Sequence, residues 1–265
     1  MRLVVGSHNL MHGLQLDRLL PHYLELQRRV GLDVLCLQEN RLAGKRMHAE
    51  VITDALGPDF TVACDAEIPG LAIVYDQTRL AATAHQLLAL PRLAALNWFE
   101  RMYIVGGAPE QKYAQVLQLS ATDNRSLAVV NFHLDSSGDN RHRRAQVQCI
   151  ADALRARNLA TDAVVCGDTN AFAWPRRRQP AALASLLEPL GALGMGDDSR
   201  APTHFFARQN EPKFTHRLAV AVGKLGLDIP LRYDVVYTAM AVVERGQTST
   251  PASDHDLVWA VLAGN

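Results

Sequence analysis

The sequence predicts a layered domain of the α/β or α+β class. Short apolar runs bounded by turn residues recur along the whole chain, and their length and β-branched content favour strands. Amphipathic stretches with helical spacing lie between these runs. Strands that are partly successive and partly separated by helices are typical of sheets covered by helices. Because no internal repeat or low-complexity linker divides the chain, we expect one domain over residues 1–265.

Eight apolar runs are predicted to be strands, because each is short and ends at polar or turn-forming residues. In chain order they are Leu3–Gly6, Asp33–Gln38, Leu71–Tyr75, Gln115–Leu119, Leu127–Phe132, Ala163–Cys166, Val235–Tyr237 and Leu257–Leu262. Four stretches are predicted to be helices, and they are Asp17–Val30, His142–Arg157, Pro180–Leu190 and His216–Leu225. Pro21 indicates a helix start or a kink at that position. The Pro- and Arg-rich segment Trp174–Pro180 is expected to be a surface loop.

Charge and composition exclude several classes of protein. Lys plus Arg and Asp plus Glu are each 27, which argues against binding nucleic acid by bulk electrostatics, although a local basic groove remains compatible. The four cysteines lack metal-ligand spacing, and Cys36 and Cys166, which lie inside apolar runs, are expected to be buried thiols. No run resembles a signal peptide, and none approaches the roughly 18 apolar residues needed to cross a bilayer. We therefore expect a cytoplasmic protein without a membrane span.

Polar side chains stand where apolar runs end. Most of them follow a predicted strand, and Asp254 and His255 follow the short run Thr250–Ala252, just before the last predicted strand. They comprise three carboxylates, two carboxamides and two imidazoles, namely Glu39, Asp168, Asp254, Asn9, Asn170, His133 and His255. Asp234 stands just before another strand. Taken singly, each is more often a turn former or a helix cap. Together they suit Mg²⁺ or Mn²⁺, which prefer oxygen ligands, at one end of a sheet.

The order of these segments resembles a known family. The six elements are Asn9, the LQE that ends at Glu39, NFHLD around His133, GDTN from Gly167, YDVVYT from Tyr233 and SDHD from Ser253. In this order they resemble the endonuclease/exonuclease/phosphatase superfamily, from about Asn9 to Trp259. That group includes deoxyribonucleases, exonuclease III-like enzymes, neutral sphingomyelinases and inositol polyphosphate 5-phosphatases. The resemblance implies a four-layer αββα sandwich, with two packed mixed β-sheets flanked by helices, and a divalent-metal-dependent hydrolase of phosphate esters.

The resemblance also implies a metal side of the site. Glu39 would be the main carboxylate ligand of Mg²⁺ or Mn²⁺, with Asn9 nearby and Asp254 close behind. Some nuclease members carry a second polar residue two positions after the equivalent of Asn9. Met11 occupies that position here, so the metal is expected to depend more strongly on Glu39.

The remaining matched residues would face the scissile phosphorus. Asp168 would orient or deprotonate the attacking water, and the Asn170 amide would donate to a phosphoryl oxygen from the same extended stretch. His255 would act as proton donor or oxyanion stabiliser. Asp234 would hold the other ring nitrogen of His255 and raise its pKa. His133 would be the second imidazole, on the other flank of the phosphate.

Several residues outside the six elements are assigned by weaker patterns. Arg176 and Arg177 are predicted to bind substrate, because their loop leaves the same strand end as Asp168. Asp256 is expected to be solvated. His204 and His216 lie in a polar segment and are expected on the surface.

Three functions follow in order of preference. The first is a phosphodiesterase or nuclease, acting as a monomer on short nucleic acid or a small phosphodiester. The second is a phosphomonoesterase or a sphingomyelinase-like lipid phosphodiesterase. The third, a non-catalytic binding protein that retains the fold, is disfavoured because every core acid, amide and imidazole is present. Fold alone does not separate the first two, since the loops around the site determine substrate.

Overall fold

The computed structural model describes residues 2–43, 46–65, 68, 70–98, 100–101, 108–208 and 230–263. The predicted helix His216–Leu225 lies outside these residues. The other three predicted helices are present, and the described part of the chain adds a fourth; the helices are α1 (Leu16–Val30), α2 (His48–Leu56), α3 (Asn140–Ala156) and α4 (Gln179–Gly191). Pro21 lies inside α1 without ending it.

All eight predicted strands are present. In chain order the strands are β1 (Arg2–Asn9), β2 (Val34–Gln38), β3 (Leu42–Ala43), β4 (Arg46–Met47), β5 (Phe60–Cys64), β6 (Leu71–Asp76), β7 (Leu80–Ala89), β8 (Tyr113–Ala121), β9 (Ser126–His133), β10 (Ala163–Asp168), β11 (Asp234–Thr238), β12 (Ala241–Thr248) and β13 (Leu257–Ala263). Sequence patterns alone did not predict β3, β4, β5, β7 and β12.

Two large sheets face each other. The first has the order β12-β13-β1-β2-β6-β5, and the second has the order β11-β10-β9-β8-β7. Each sheet is mixed, because β1 pairs in parallel with β2 and β9 pairs in parallel with β10, whereas the other pairs are antiparallel.

The apolar core has three layers. Side chains such as Val5, Cys36 and Val129 meet between the two sheets. On the outer face of the first sheet, α1 and α2 pack against alternate residues of the same strands, and α3 and α4 cover the second sheet in the same way. Strands buried on both faces explain why the sequence shows apolar runs and little alternation. The predicted αββα sandwich is confirmed.

Buried amides join the two sheets below the strand ends. Gln38 on β2 donates through Nε2 to Asn131 Oδ1 on β9 at 2.7 Å. Asn131 in turn donates to the carbonyl oxygens of Leu37 and Ala72, both at 2.9 Å. Because buried polar groups are costly unless paired, these bonds fix how the two sheets are aligned.

The cysteines agree with a further expectation. All four cysteines are free thiols, and Cys36 and Cys166 are buried. Among the helices that the structure describes, none is both long and apolar enough to cross a membrane.

Candidate active site

Strand register brings the polar residues to one end of the sandwich. Because β1 and β2 run parallel, Asn9 lies opposite Gln38, and Glu39 follows directly. In the second sheet Asp168 lies opposite both His133 on parallel β9 and Asp234 on antiparallel β11. The ends of the two sheets meet through Asn9, whose Nδ2 donates to Asp168 Oδ2 at 3.0 Å.

Asp168 is the centre of this group and is almost completely buried. The preceding residue, Gly167, has φ 154°, and a Cβ there would lie 2.0 Å from the carbonyl oxygen of Phe132. Only glycine therefore allows β10 to approach β9 so closely at this point. The other carboxylate oxygen of Asp168 accepts the backbone N–H of Asn170 at 2.8 Å.

Two imidazoles flank Asp168. Its Oδ2 lies 3.6 Å from Nε2 of His133 and 3.7 Å from Nε2 of His255. Burial alone would raise the pKa of Asp168, but the two imidazoles and the hydrogen bonds from Asn170 and Asn9 bring it below its usual value. An ionised carboxylate between two imidazoles can accept a proton from a water molecule.

The two imidazoles differ in charge state. His255 Nδ1 lies 2.8 Å from Asp234 Oδ2. Burial lowers the pKa of His255, yet the carboxylates of Asp234, Asp168 and Asp254 raise it well above the usual value. For His133 the effect of burial dominates and its pKa is lowered, although Asp168 opposes this. The site therefore pairs a protonated imidazole with a neutral one, as acid–base chemistry requires.

Asn170 departs from the predicted geometry. It does not continue an extended stretch, because its φ is 47° and its backbone turns back to Asp168. The carboxylate of Asp168 closes an Asx turn, which ends the strand at Asp168. One hydrogen of the Asn170 amide is donated to the Leu134 carbonyl oxygen at 3.0 Å. Only the second amide hydrogen is left for the predicted contact with a phosphoryl oxygen.

Glu39 lies on the other side of Asn9. Its Oε1 is 3.4 Å from Asn9 Nδ2, and its Oε2 is 2.9 Å from His12 Nδ1. Burial would raise the pKa of Glu39, but the hydrogen bond from His12 and the charges of His133 and His12 lower it to about 2. The carboxylate is thus ionised at neutral pH, and its side chain is 20 % exposed. These properties fit an oxygen ligand of a divalent cation.

Other acidic and imidazole groups approach each other within the described residues. Two sets of three have ligand atoms within 4.8 Å of one another, and they are His204, Asp254 and His255, and Asp168, Asp234 and His255. Both sets contain His255, and a protonated imidazole repels a cation. Glu39 is therefore the better anchor for a metal. Of its predicted companions, Asn9 contacts it directly, while Asp254 affects its pKa through charge.

The expectation that His204 lies on the surface is wrong. His204 is buried, stacks on Tyr233 with ring centroids 4.7 Å apart, and places Nε2 3.4 Å from Asp254 Oδ2. His204 reaches the site because its backbone forms a β-bridge on each side, one to Leu231 and one to His255. No local pattern marks this pairing, because its partners lie 27 and 51 positions away (231 − 204 and 255 − 204).

The expectation that Asp256 is solvated is also wrong. Asp256 is buried, forms an ion pair with Arg208 and accepts a hydrogen bond from Gln247 at 2.8 Å. These contacts hold the segment that carries Asp254 and His255 in place against Arg208 and Gln247.

Arg176 and Arg177 lie at the predicted end of the molecule but outside the cluster. They form a short 3-10 turn just before α4, and both are exposed. Among the described residues, none accepts a hydrogen bond or forms an ion pair with either side chain. Exposed aromatic side chains precede them, Phe172 at 47 % and Trp174 at 65 % exposure.

Comparison with known proteins adds the fold family. No protein-family model and no curated protein sequence matches the chain. Solved structures do match. An endonuclease/exonuclease/phosphatase from Bacteroides vulgatus has a TM-score of 0.69 at 15% identity, covering 99% of each chain. D. rerio TDP2 complexed with single strand DNA product has a TM-score of 0.66 at 13% identity, again covering 99% of each chain. Sphingomyelinase C from Streptomyces griseocarneus has a TM-score of 0.64 at 16% identity, covering 99% of this chain and 100% of that one. The chain has the fold of the endonuclease/exonuclease/phosphatase superfamily.

Proposed function

We propose that the protein is a divalent-cation-dependent phosphodiesterase that hydrolyses a phosphate ester by attack of water on phosphorus. The observation that supports this most directly is geometric: Oδ2 of Asp168 lies 3.6 and 3.7 Å from Nε2 of His133 and His255, and Asn9 joins Asp168 to Glu39. The proposal treats residues 1–265 as one domain that acts as a monomer in a cytoplasmic setting.

Each residue of the site has its own role in the proposed reaction. Asp168 orients the attacking water and accepts its proton, because its carboxylate is ionised and faces the cluster. His255, held by Asp234, donates a hydrogen bond or a proton to the phosphate. His133 and the second hydrogen of the Asn170 amide flank the phosphoryl oxygens. Glu39, with Asn9 beside it, would hold Mg²⁺ or Mn²⁺. When bound, such a cation offsets negative charge on the phosphoryl oxygens.

The surroundings of the site favour a nucleotide diester over a monoester. The segment that follows Asp168 at the end of β10 carries four exposed side chains, which are Phe172, Trp174, Arg176 and Arg177. Aromatic rings that stack on bases, combined with arginines that contact phosphates, are typical of single-stranded nucleic-acid binding. The TDP2 neighbour, which was crystallised with single strand DNA product, supports the same substrate class.

A lipid phosphodiester is the second candidate. Leu14, between β1 and α1, and Leu42, in β3 just after β2, are 50 % and 64 % exposed at the end of the sandwich that carries the site. Exposed apolar side chains around a polar site suit a substrate with acyl chains. The sphingomyelinase C neighbour is consistent with this alternative.

A substrate panel tests both candidates. Bis-p-nitrophenyl phosphate, p-nitrophenyl phosphate, a short single-stranded DNA and sphingomyelin vesicles are assayed with Mg²⁺ or Mn²⁺, with and without EDTA. We expect EDTA-sensitive cleavage of bis-p-nitrophenyl phosphate and the single-stranded DNA, slow turnover of the monoester, and loss of activity in Asp168→Asn. Cleavage of sphingomyelin in place of the DNA would favour the second candidate. Asp152→Asn is the matched control, because it removes the same charge from an exposed position on α3. If none of the substrates turns over in a metal-dependent way, or if Asp168→Asn is as active as the control, the proposal is wrong.

A further inference from the structure

Two residues with an unusual backbone face each other beside the proposed metal site. His12 has φ 57° and Glu39 has φ 54°, both in the left-handed region that non-glycine residues rarely adopt. Their side chains meet with His12 Nδ1 2.9 Å from Glu39 Oε2. Such backbones cost free energy and persist only where the surroundings enforce them, and they concentrate at functional sites.

The surroundings enforce the turn that carries His12. Met11, which also has positive φ, donates its backbone N–H to Asn9 Oδ1 at 2.9 Å. Gly13 packs so closely on the His48 ring that a Cβ would lie 2.1 Å from Cε1 of that ring. A turn that is fixed from both sides has little freedom to aim His12 elsewhere. Its orientation toward Glu39 is therefore a built feature of the fold.

The spacing of the two atoms suits shared coordination. Two ligands at right angles around a cation, each about 2.1 Å from it, are about 3 Å apart. The separation between Nδ1 of His12 and Oε2 of Glu39 is 2.9 Å. The two side chains are 23 % and 20 % exposed, so the pair borders solvent, while Nδ1 of His12 itself is buried and faces the carboxylate.

We propose that Nδ1 of His12 is a ligand of the divalent cation together with Glu39, and that this imidazole makes the site favour Mn²⁺ over Mg²⁺. Both ions accept oxygen ligands, but Mg²⁺ is the harder ion and gives up its water reluctantly, whereas Mn²⁺, a first-row transition ion, accepts a nitrogen ligand more readily. As a ligand the ring carries its hydrogen on Nε2, whereas in the hydrogen bond to Glu39 the hydrogen is on Nδ1. The inference rests on the proposed function only for the presence of a cation at Glu39.

Binding of Mn²⁺ to the purified full chain tests the inference without an activity assay. Titration followed by electron paramagnetic resonance gives the Kd, and electron spin-echo envelope modulation detects an imidazole nitrogen bonded to Mn²⁺. Calorimetry gives the Kd of Mg²⁺. His12→Gly removes the ligand and tolerates the positive φ, so it should fold. His12→Asn also tolerates this backbone and offers an amide oxygen in place of nitrogen.

We expect the nitrogen signal in the unmodified protein and its loss in both variants. His12→Gly should weaken Mn²⁺ binding by at least about tenfold and Mg²⁺ binding much less. In His12→Asn the Kd values of Mn²⁺ and Mg²⁺ should differ by less than in the unmodified protein. His22→Asn, which alters a histidine of α1, should leave both constants unchanged.

Failure of this inference can be distinguished from failure of the proposed function. If Glu39→Gln abolishes Mn²⁺ binding but His12→Gly changes neither the Kd nor the nitrogen signal, His12 is not a ligand and the inference is overturned. If Glu39→Gln binds Mn²⁺ as tightly as the unmodified protein, the proposed metal site itself is wrong.

Discussion

Nδ1 of His255 lies 2.8 Å from Oδ2 of Asp234, and this buried pair turns the other ring nitrogen of His255 toward Asp168. The pair joins two distant parts of the sequence, the start of β11 and the loop before β13. The carboxylate both orients the imidazole and favours its protonated form. The role proposed for His255 therefore depends on Asp234, which contacts the ring nitrogen that does not face Asp168.

Replacing Asp234 by Asn tests this dependence. Without the carboxylate, a charge and a hydrogen bond that oppose the effect of burial are lost, so the pKa of His255 falls although Asp168 and Asp254 remain. Because His255 donates only when protonated, activity in the unmodified protein is lost as pH rises through its raised pKa, and in Asp234→Asn the same loss occurs at lower pH. We expect kcat to fall by roughly 10²- to 10⁴-fold at neutral pH. Profiles of kcat/KM against pH measure this, and an unchanged alkaline limb would contradict it.

The second prediction concerns His204, which stacks on Tyr233 and lies 3.4 Å from Asp254. His204→Phe keeps a ring of similar size but removes the contact with the carboxylate. We expect activity to fall by about ten- to a hundredfold, while Tm changes by only a few degrees, because ring packing is retained. Activity equal to that of the unmodified protein would show that His204 only fills space.

The sequence predicted the framework and the centre of the site for a physical reason. Central strands such as β1 and β10 are apolar on both faces and end abruptly at Asn9 and Asp168, so they are visible as short apolar runs with polar ends. The edge strand β7 was missed because most of its side chains are exposed and only Leu80 is fully buried, which leaves no apolar run.

His12, His204 and Asp256 show why the rest of the site was not predicted. His12 reaches Glu39 through a turn with two non-glycine residues in the left-handed region, and neither residue type signals such a backbone. His204 and Asp256 are buried because their backbones pair with segments that lie far away in the sequence. Burial that depends on such long-range pairing leaves no trace in local composition.

The third prediction concerns Gly167. In Gly167→Ala the new Cβ would lie 2.0 Å from the Phe132 carbonyl oxygen, at a φ of 154° that side chains rarely adopt. We expect the free energy of unfolding to fall by roughly 2–4 kcal/mol, because β9 and β10 must separate locally. Gly196→Ala is the control, since a Cβ there meets nothing within 4 Å, and it should change stability by less than about 1 kcal/mol. Urea unfolding of both variants decides the matter, and equal midpoints would refute the steric argument.

The fourth prediction concerns pH and stability. Burial lowers the pKa of His8 to about 3, and its neutral ring bonds to the Tyr23 hydroxyl at 2.7 Å and to the His255 carbonyl oxygen at 3.2 Å. A group whose pKa is lowered by folding supports stability above its unfolded pKa, near 6.5, and this support is lost as pH falls toward 3. The loss amounts to at most roughly 5 kcal/mol. In His8→Gln the unfolding free energy should depend less steeply on pH in this window; a slope identical to that of the unmodified protein would be inconsistent with a buried neutral His8.

The fifth prediction separates substrate binding from chemistry. Arg176 and Arg177 are exposed near Phe172 and Trp174, and within the described part of the chain their side chains form no hydrogen bond or ion pair with the site residues. If they bind a flanking phosphate, the double change to Ala should raise KM for single-stranded DNA by about tenfold and leave kcat within about twofold.

The double change should also make log KM less dependent on log salt concentration, because each lost phosphate contact lowers the slope by about 0.7 for a single strand. The control removes Arg125, a partly exposed arginine at the β8–β9 turn, and should alter neither quantity. Because bis-p-nitrophenyl phosphate lacks a flanking phosphate, its KM should be the same in the double variant and the unmodified protein. An equal rise in KM for both substrates would mean that the two arginines act on the reacting phosphate and not on its neighbour.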